Sequence, residues 1–301
     1  MRTVHTIAEL HAALAAQRRR TDGGPVGLVP TMGSFHEGHL SLLRRACELT
    51  EVVVVSLFVN PAQFGPAEDL GAYPRDEARD AALAEAEGAD LLFAPPVGEV
   101  YPDGFDTAVR VRGLSEILCG SPEGRGAEHF DGVTTVVTKL FNLVRPQVAF
   151  FGQKDAQQAL VIEKLVRDLD LDVRIEVCPT VRERDGLAMS SRNAYLKPAD
   201  RTRALALHRA LCAAERRVAA GERDAAAVLA AARAQLDAAG VAPEYLELRS
   251  AADLSPVQRV NGSTLLSVAA RVGRARLIDN TVLIAPVGPS APLQEPNGGT
   301  P

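Results

Sequence analysis

Along the first 180 residues, apolar stretches without polar alternation take turns with stretches of helical period. GLVP (27–30), ADLLFAP (89–95) and QVAFFG (147–152) are short apolar runs, and EVVVVSLFV (51–59) is a longer one. Runs of this length without an exposed polar face predict strands buried on both sides. Between them, GHLSLLRRACEL (38–49) places Leu40, Leu43 and Cys47 on one side of a helix. RDEARDAALAEAEG (75–88) is a second helix, stopped by Gly88. GVTTVVTKLFNLV (132–144) has enough length and period for a third, despite its Val and Thr content. DAQQALVIEKLVRDL (155–169) is a fourth, with Val161, Ile162, Leu165 and Leu169 clustered, and LDVRIEVCPT (171–180) closes the series as a strand.

Strand and helix in strict alternation predict an α/β fold. Its core is a Rossmann-like parallel sheet with helices on both faces. From about residue 180 the pattern changes. Two Ala-rich helical stretches (199–220 and 222–239) precede strand-like segments at 244–249, 264–270 and 275–285. The expected division is a Rossmann-like nucleotide- and substrate-binding domain over 1–180 and a smaller α+β domain over 181–285 that covers the site. Residues 286–301, rich in Pro and Gly, read as a disordered tail. At the start of the chain, Thr6 and Glu9 form a T-x-x-E capping box, with Ile7, Leu10 and Leu14 on one helix face. That outweighs an Arg-rich targeting segment, and the Arg, His and Glu residues before any long apolar stretch exclude a secretory signal.

Composition narrows the function classes. The chain has 301 residues, 47% apolar and 24% charged, with a net charge of -5. That sign and size do not fit a dedicated nucleic-acid binder, and no apolar run approaches a membrane span. The four cysteines, Cys47, Cys119, Cys178 and Cys212, show no metal or redox spacing. Most lie in apolar-periodic segments, as expected of buried thiols in the cytoplasm.

Ligands of parallel α/β sheets bind at the carboxyl ends of the strands, so the residues after 30, 59 and 151 are the ones to inspect. VPTMGSFHEGHLSLL (29–43) leaves a strand, turns at Gly33 and opens a helix with His36 and His39 three residues apart. A helix N-terminus presents unpaired N–H groups and a positive dipole end. Two imidazoles there suit the α-phosphate of a nucleotide. A zinc pair or two unrelated surface histidines are the weaker readings. Walker A and G-x-G-x-x-G are both missing.

FGQKDAQQ (151–158) is a second strand-to-helix junction. Lys154, one of four lysines, sits where a phosphate would; Asp155 is a natural N-cap; and Gln158 points to the same mouth. The plainer alternative is a capped helix with a solvated Lys. DGLAMSSRN (185–193) offers Ser190, Ser191 and Arg192 as a triphosphate clamp, against the reading of an ordinary loop. After the 51–59 strand, Asn60 and Gln63 are uncharged donors suited to a small hydroxy acid, and Asp80 is either a Mg²⁺ ligand or a solvated helical carboxylate.

The ordered set PTMGSFHEGHLSL, FVNPAQF, YPR (73–75), FGQKD with Gln158, and DGLAMSSRNAYL resembles the pantothenate synthetase (pantoate–β-alanine ligase) family over roughly residues 1–285. HEGH (36–39) resembles the H-x-G-H signature of the wider nucleotidyltransferase superfamily, and MSSR (189–192) its KMSKS-type loop. The resemblance implies that ATP adenylates the carboxylate of (R)-pantoate with release of pyrophosphate. β-Alanine then attacks the pantoyl adenylate, giving pantothenate and AMP. It implies ATP binding by Met32, Gly33, Ser34, Phe35, His36, Glu37, Gly38 and His39, with His39 as the assigned proton donor. It extends ATP binding to Gly152, Gln153, Lys154 and Asp155, and to Val181, Met189, Ser190, Ser191 and Arg192.

Catalysis would rest on His36, His39 and Lys154. Gln63 and Gln158 would bind pantoate, with Gln63 also beside β-alanine. Mg²⁺ and a homodimer are implied as well. Two rivals remain: an adenylyltransferase acting on another small acceptor, which the paired glutamines and the late domain disfavour, and a non-catalytic nucleotide-binding module. The chain departs from the family pattern where R-P-G-H-F is usual: it reads GRGAEHFDGV (124–133), so Arg125 and His129 receive no role. The Gly-rich stretch 119–132 reads as a mobile flap.

Overall fold

The computed structural model describes residues 1–65, 70–71 and 73–285; the expected tail over 286–301 lies outside them. Six strands form one sheet: β1 (Arg2–Val4), β2 (Val26–Thr31), β3 (Val52–Leu57), β4 (Leu91–Phe93), β5 (Val148–Gly152) and β6 (Arg174–Cys178). Their order is β1-β4-β3-β2-β5-β6, and every pair is parallel.

The helices are α1 (Ile7–Arg20), α2 (Glu37–Leu49), α3 (Glu77–Ala86), the short α4 (Val97–Val100), α5 (Ala127–Val144) and α6 (Ala156–Asp168). Side chains alternate across a strand, and β3 shows the consequence. Val52 and Val54 pack with α1, α5 and α6, while Val53 and Val55 pack with α2 and α3. Both faces are covered, which is why this strand carries no polar alternation.

α1 starts at the expected capping box. Thr6 Oγ1 accepts from the Glu9 N–H at 3.1 Å, and Glu9 Oε2 accepts from the Thr6 N–H at 3.1 Å. α5 begins at Ala127, five residues before Gly132, and buries Phe130 and Gly132. The second half of the expected 119–132 flap is therefore packed helix. Its β-branched residues are tolerated because Thr134 and Thr138 return their hydroxyls to the Phe130 and Thr134 carbonyls, at 2.8 and 2.7 Å. β1 and α4 have no counterpart in the sequence reading; three or four residues carry too little pattern.

The rest of the described chain forms α7 (Pro198–Ala219), α8 (Ala225–Asp237) and an antiparallel sheet, β7 (Pro243–Ser250), β8 (Gly262–Val272) and β9 (Ala275–Ala285), with β8 in the middle. Its separate core joins Leu207, Leu211 and Val228 of the helices to Leu266, Val268 and Leu277 of the sheet. Cys119 and Cys178 are buried as expected, but Cys47 is exposed and Cys212 half-buried, so only half of the thiols meet the expectation. No helix among the described residues is long and apolar enough to cross a membrane.

Candidate active site

The strand order reverses between β2 and β5. Chain connections leave β2 toward β3 and β4 on one side, and β5 continues to β6 on the other. The loops after β2 and β5 therefore diverge and leave a crevice at the carboxyl edge of the sheet. Both expected junctions, 32–39 and 152–158, meet there.

The β2 loop is shaped by a buried carboxylate. Gly33 has φ 90 and Ser34 φ 56, a left-handed pair that is unfavourable for Ser. Asp80 of α3, 0% exposed, accepts from the N–H groups of Ser34 and Phe35 at 2.6 and 2.8 Å. Burial raises its carboxyl pKa, and these two backbone donors oppose that. With both oxygens engaged behind the loop, Asp80 is absent from the crevice walls. Asp80 therefore serves as a loop anchor; the expected metal role does not fit this placement.

His36 is the N-cap of α2, and its Nδ1 accepts from the Gly38 N–H at 3.1 Å. His39 Nδ1 faces the His36 N–H at 3.4 Å. With each Nδ1 an acceptor, the proton of each neutral ring lies on Nε2. The rings stack with centroids 4.1 Å apart. A Cβ on Gly38 would stand 2.9 Å from the His36 ring, so only glycine lets the imidazole fold over the helix start. Burial, with Lys154 nearby, lowers the His36 pKa to about 4. Burial, then His36 and Lys154, lowers that of His39 to about 3. Both rings are neutral hydrogen-bond donors at pH 7, which speaks against a resident imidazolium as proton source.

Across the crevice, Lys154 Nζ lies 3.3 Å from Asp155 Oδ2. Asp155 makes no side-chain cap to α6, contrary to expectation; its carboxylate faces the cation instead. Burial works to raise the Asp155 pKa, but Lys154, Arg192 and Arg125 hold it below the ordinary range. The third wall is a hairpin over 181–189, closed by Met189 N–H to Val181 O at 3.0 Å. It delivers Ser190, Ser191 and Arg192. Ser190 Oγ accepts from the Arg192 N–H at 3.3 Å, and Ser191 hydrogen-bonds the Tyr73 side chain.

At the other end of the crevice, a 3-10 turn over Pro61–Gln63 follows β3. Asn60, 1% exposed, donates to Gln63 Oε1 and Gly132 O, both at 3.0 Å. It accepts from the Ala62 N–H at 3.2 Å and the Tyr101 hydroxyl at 2.9 Å. Those four bonds fill its amide, so Asn60 positions Gln63 rather than offering a free donor to a substrate. The turn rests on α5 at Gly132, where a Cβ would come within 2.3 Å of Ala62 O. Gln63 Nε2 donates to Met32 Sδ at 3.0 Å, leaving its second N–H for the crevice.

Met32, His36, Gly38, His39, Asn60, Gln63, Gly152, Lys154, Asp155, Gln158, Val181 and the 189–192 loop all line this one crevice. Gly33, Ser34, Phe35, Glu37 and Gln153 lie behind it and shape it; Glu37 is turned outward to Arg44. Tyr73, Arg125 and His129 are among the wall residues that carried no expected role. Arg125 Nη2 and His129 Nδ1 both reach Gln63 O, at 3.2 and 2.8 Å. The signal for them is present in YPR and in GRGAEHF, but the shifted Arg obscures it.

A family model described as pantoate-beta-alanine ligase matches residues 2–282. The chain belongs to the pantoate-β-alanine ligase family. Pantothenate synthetase from Moorella thermoacetica is 51% identical over 284 residues, covering 94% of this chain and 99% of the relative. That from Roseiflexus castenholzii is 53% identical over 286 residues, covering 95% and 100%. The crystal structure of the Thermus thermophilus pantothenate synthetase superposes with TM-score 0.87 at 47% identity, covering 93% of this chain and 99% of that one. The Francisella tularensis ligase, solved in complex with β-γ ATP and β-alanine, superposes with TM-score 0.76 at 31% identity, covering 94% and 97%. The activity of this ligase is ATP-dependent condensation of pantoate with β-alanine.

Proposed function

We propose that the crevice runs the condensation in two displacements on one bound nucleotide, through a pantoyl adenylate. The observation that carries this reading is the convergence of three separate anion-binding segments. The α2 N-terminus with His36 and His39, Lys154, and Ser190–Arg192 face one crevice that also holds Gln63 and Gln158. The Francisella tularensis relative, solved in complex with β-γ ATP and β-alanine, supports the same assignment.

In the first displacement a carboxylate oxygen of pantoate bonds to the α-phosphorus of ATP. The bond from that phosphorus to the β-bridging oxygen breaks, and pyrophosphate leaves. Catalysis of such a step is mostly positioning and charge stabilisation. His36 and His39 donate through Nε2–H to oxygens of the α-phosphate. Lys154, Ser191 and Arg192 take the β and γ oxygens. Met32 and the Gly33–Phe35 backbone shape the nucleotide floor, and Val181 and Met189 flank the base. Gln63 and Gln158 hold pantoate with its carboxylate toward phosphorus. In the second displacement the free amine of β-alanine bonds to the acyl carbon, the acyl–oxygen bond breaks, AMP leaves with the electron pair, and the nitrogen releases one proton to solvent.

Among the described residues no three His, Cys, Asp or Glu side chains converge on a metal position. Among the described residues, the crevice walls hold a single carboxylate, Asp155. One carboxylate plus substrate phosphates is an ordinary way to hold Mg²⁺. Asp155 fits the ion as a partner of the nucleotide, and the ion when bound would offset charge building on the phosphates. On the same reading, residues 1–180 bind the substrates and residues 181–285 close over them, in a cytoplasmic homodimer. Nucleic acid and membrane have no part in the reaction.

The test is pantoate-dependent exchange of labelled pyrophosphate into ATP, with Mg²⁺ and without β-alanine. Exchange is expected, and β-alanine should convert it to net AMP release. Formation of pantothenate without any exchange would overturn the two-step reading.

A further inference from the structure

β9 belongs to the smaller sheet, yet its centre touches both phosphate-facing segments of the crevice. Alternation along the strand gives it two working faces. Leu277 and Leu283 face the core with α7 and α8, while Ile278 faces the large sheet's core. Asp279 continues the Leu277 face and Asn280 the Ile278 face, 3% and 5% exposed, in register with Val268 and Ser267 of β8.

Asn280 grips the loop after β5. Its Nδ2 donates to Gln153 O and Lys154 O, both at 2.9 Å, and its Oδ1 accepts from Gln153 Nε2 at 3.1 Å. Asp279 grips the 181–189 hairpin. Its carboxylate takes a bidentate pair from Arg182, at 2.6 and 3.0 Å, and also accepts the Asn280 N–H at 2.8 Å. Arg182 in turn donates to Gly186 O at 3.2 Å and pairs with Ala188 across the hairpin, one residue before Met189.

We propose that the Asp279–Asn280 dipeptide is a clamp that sets the distance between Lys154 and the Ser190–Arg192 loop, and so fixes the site's fit to a triphosphate. The two residues touch no substrate; they are positioning residues acting through backbone carbonyls and Arg182. The clamp rests on the reading of Lys154 and Ser190–Arg192 as phosphate ligands. Neither anion-binding segment makes the spacing alone. Each hangs from a different part of the fold, and a dipeptide inside a strand paired to β8 along its whole length is a stiff link between them. Burial leaves both side chains no alternative partner in water, so removing either releases one arm.

The test is steady-state pyrophosphate exchange for Asn280→Ala, Asp279→Asn, Lys154→Ala and the Asn280→Ala/Lys154→Ala pair. Asn280→Ala should raise the half-saturating ATP concentration about tenfold, with less than about twofold change for pantoate. In the Lys154→Ala background the same change should cost less than about twofold, because the arm then holds nothing that contacts phosphate. Should Asn280→Ala not fold, Asp279→Asn, which keeps its size, decides: it should show the same ATP-selective rise. Equal effects on ATP and pantoate, an undiminished effect in the Lys154→Ala background, or no effect at all would overturn the clamp. If Lys154→Ala itself leaves the ATP requirement unchanged, the phosphate reading fails instead.

Discussion

His36 and His39 stack with ring centroids 4.1 Å apart at the start of α2, each turning Nδ1 to a backbone N–H and both lining the crevice. Their pKa values fall to about 4 and about 3, against an ordinary value near 6.5. Below that ordinary value the unfolded chain takes up protons that the native protein refuses, so stability falls with pH. The protein without substrates should lose thermal stability steadily from about pH 6.5 toward pH 4. His39→Gln should flatten that slope. A Tm-against-pH profile identical in the two proteins would show that these rings are not held neutral.

His39→Ala removes one preorganised donor to the α-phosphate while leaving the fold's core intact. Loss of a donor of this kind costs about 10²- to 10³-fold in rate. The adenylation half-reaction should fall by that factor with near-normal circular dichroism. An adenylation rate close to that of the unaltered protein would remove His39 from the mechanism.

Asp80→Asn tests the loop anchor. The amide offers one acceptor oxygen where the carboxylate supplies two, so one of the Ser34 and Phe35 N–H groups faces an NH₂ group instead. A buried group left unpaired costs about 1–3 kcal/mol. The variant should melt earlier and adenylate more slowly, with its Mg²⁺ half-saturation unchanged. A selective rise in Mg²⁺ requirement would restore Asp80 as a metal ligand.

Gly132→Ala puts a methyl group 2.3 Å from the Ala62 carbonyl. The 3-10 turn has to move, and Gln63 moves with it. The pantoate KM should rise clearly more than the ATP KM, in contrast to Asn280→Ala. Unchanged pantoate affinity would mean that Gln63 is not its ligand. Asn60→Ala should act in the same direction, and more strongly on stability, because its four hydrogen bonds, two of them buried, are lost together.

What the sequence determined by itself is local. Periodicity placed the long elements, since burial on two faces leaves a run such as Val52–Val55 no polar positions. The H-x-G-H segment was legible because a helix start, its glycine and both imidazoles lie within four residues. Lys154 and the Ser190–Arg192 loop were legible for the same reason. Asn60 and Asp80 stood out as polar residues near a strand end and on a helix, but their partners were not visible.

What only tertiary structure decided is who answers whom across the chain. Asp80 meets a loop more than forty residues earlier, and its burial turns a candidate metal ligand into an anchor. Asn60 commits its amide to Gln63, Gly132 and Tyr101, so it holds the turn in place and has no free amide donor. Arg125 and His129 reach Gln63 only because α5 begins early. Asp279 and Asn280 lie in an ordinary strand, and nothing within ten residues of them names Lys154 or Arg182. Hydrogen-bond partners are set by three-dimensional proximity after the sheets pack, and a residue's chemistry says what it can bond, not which distant group will be there.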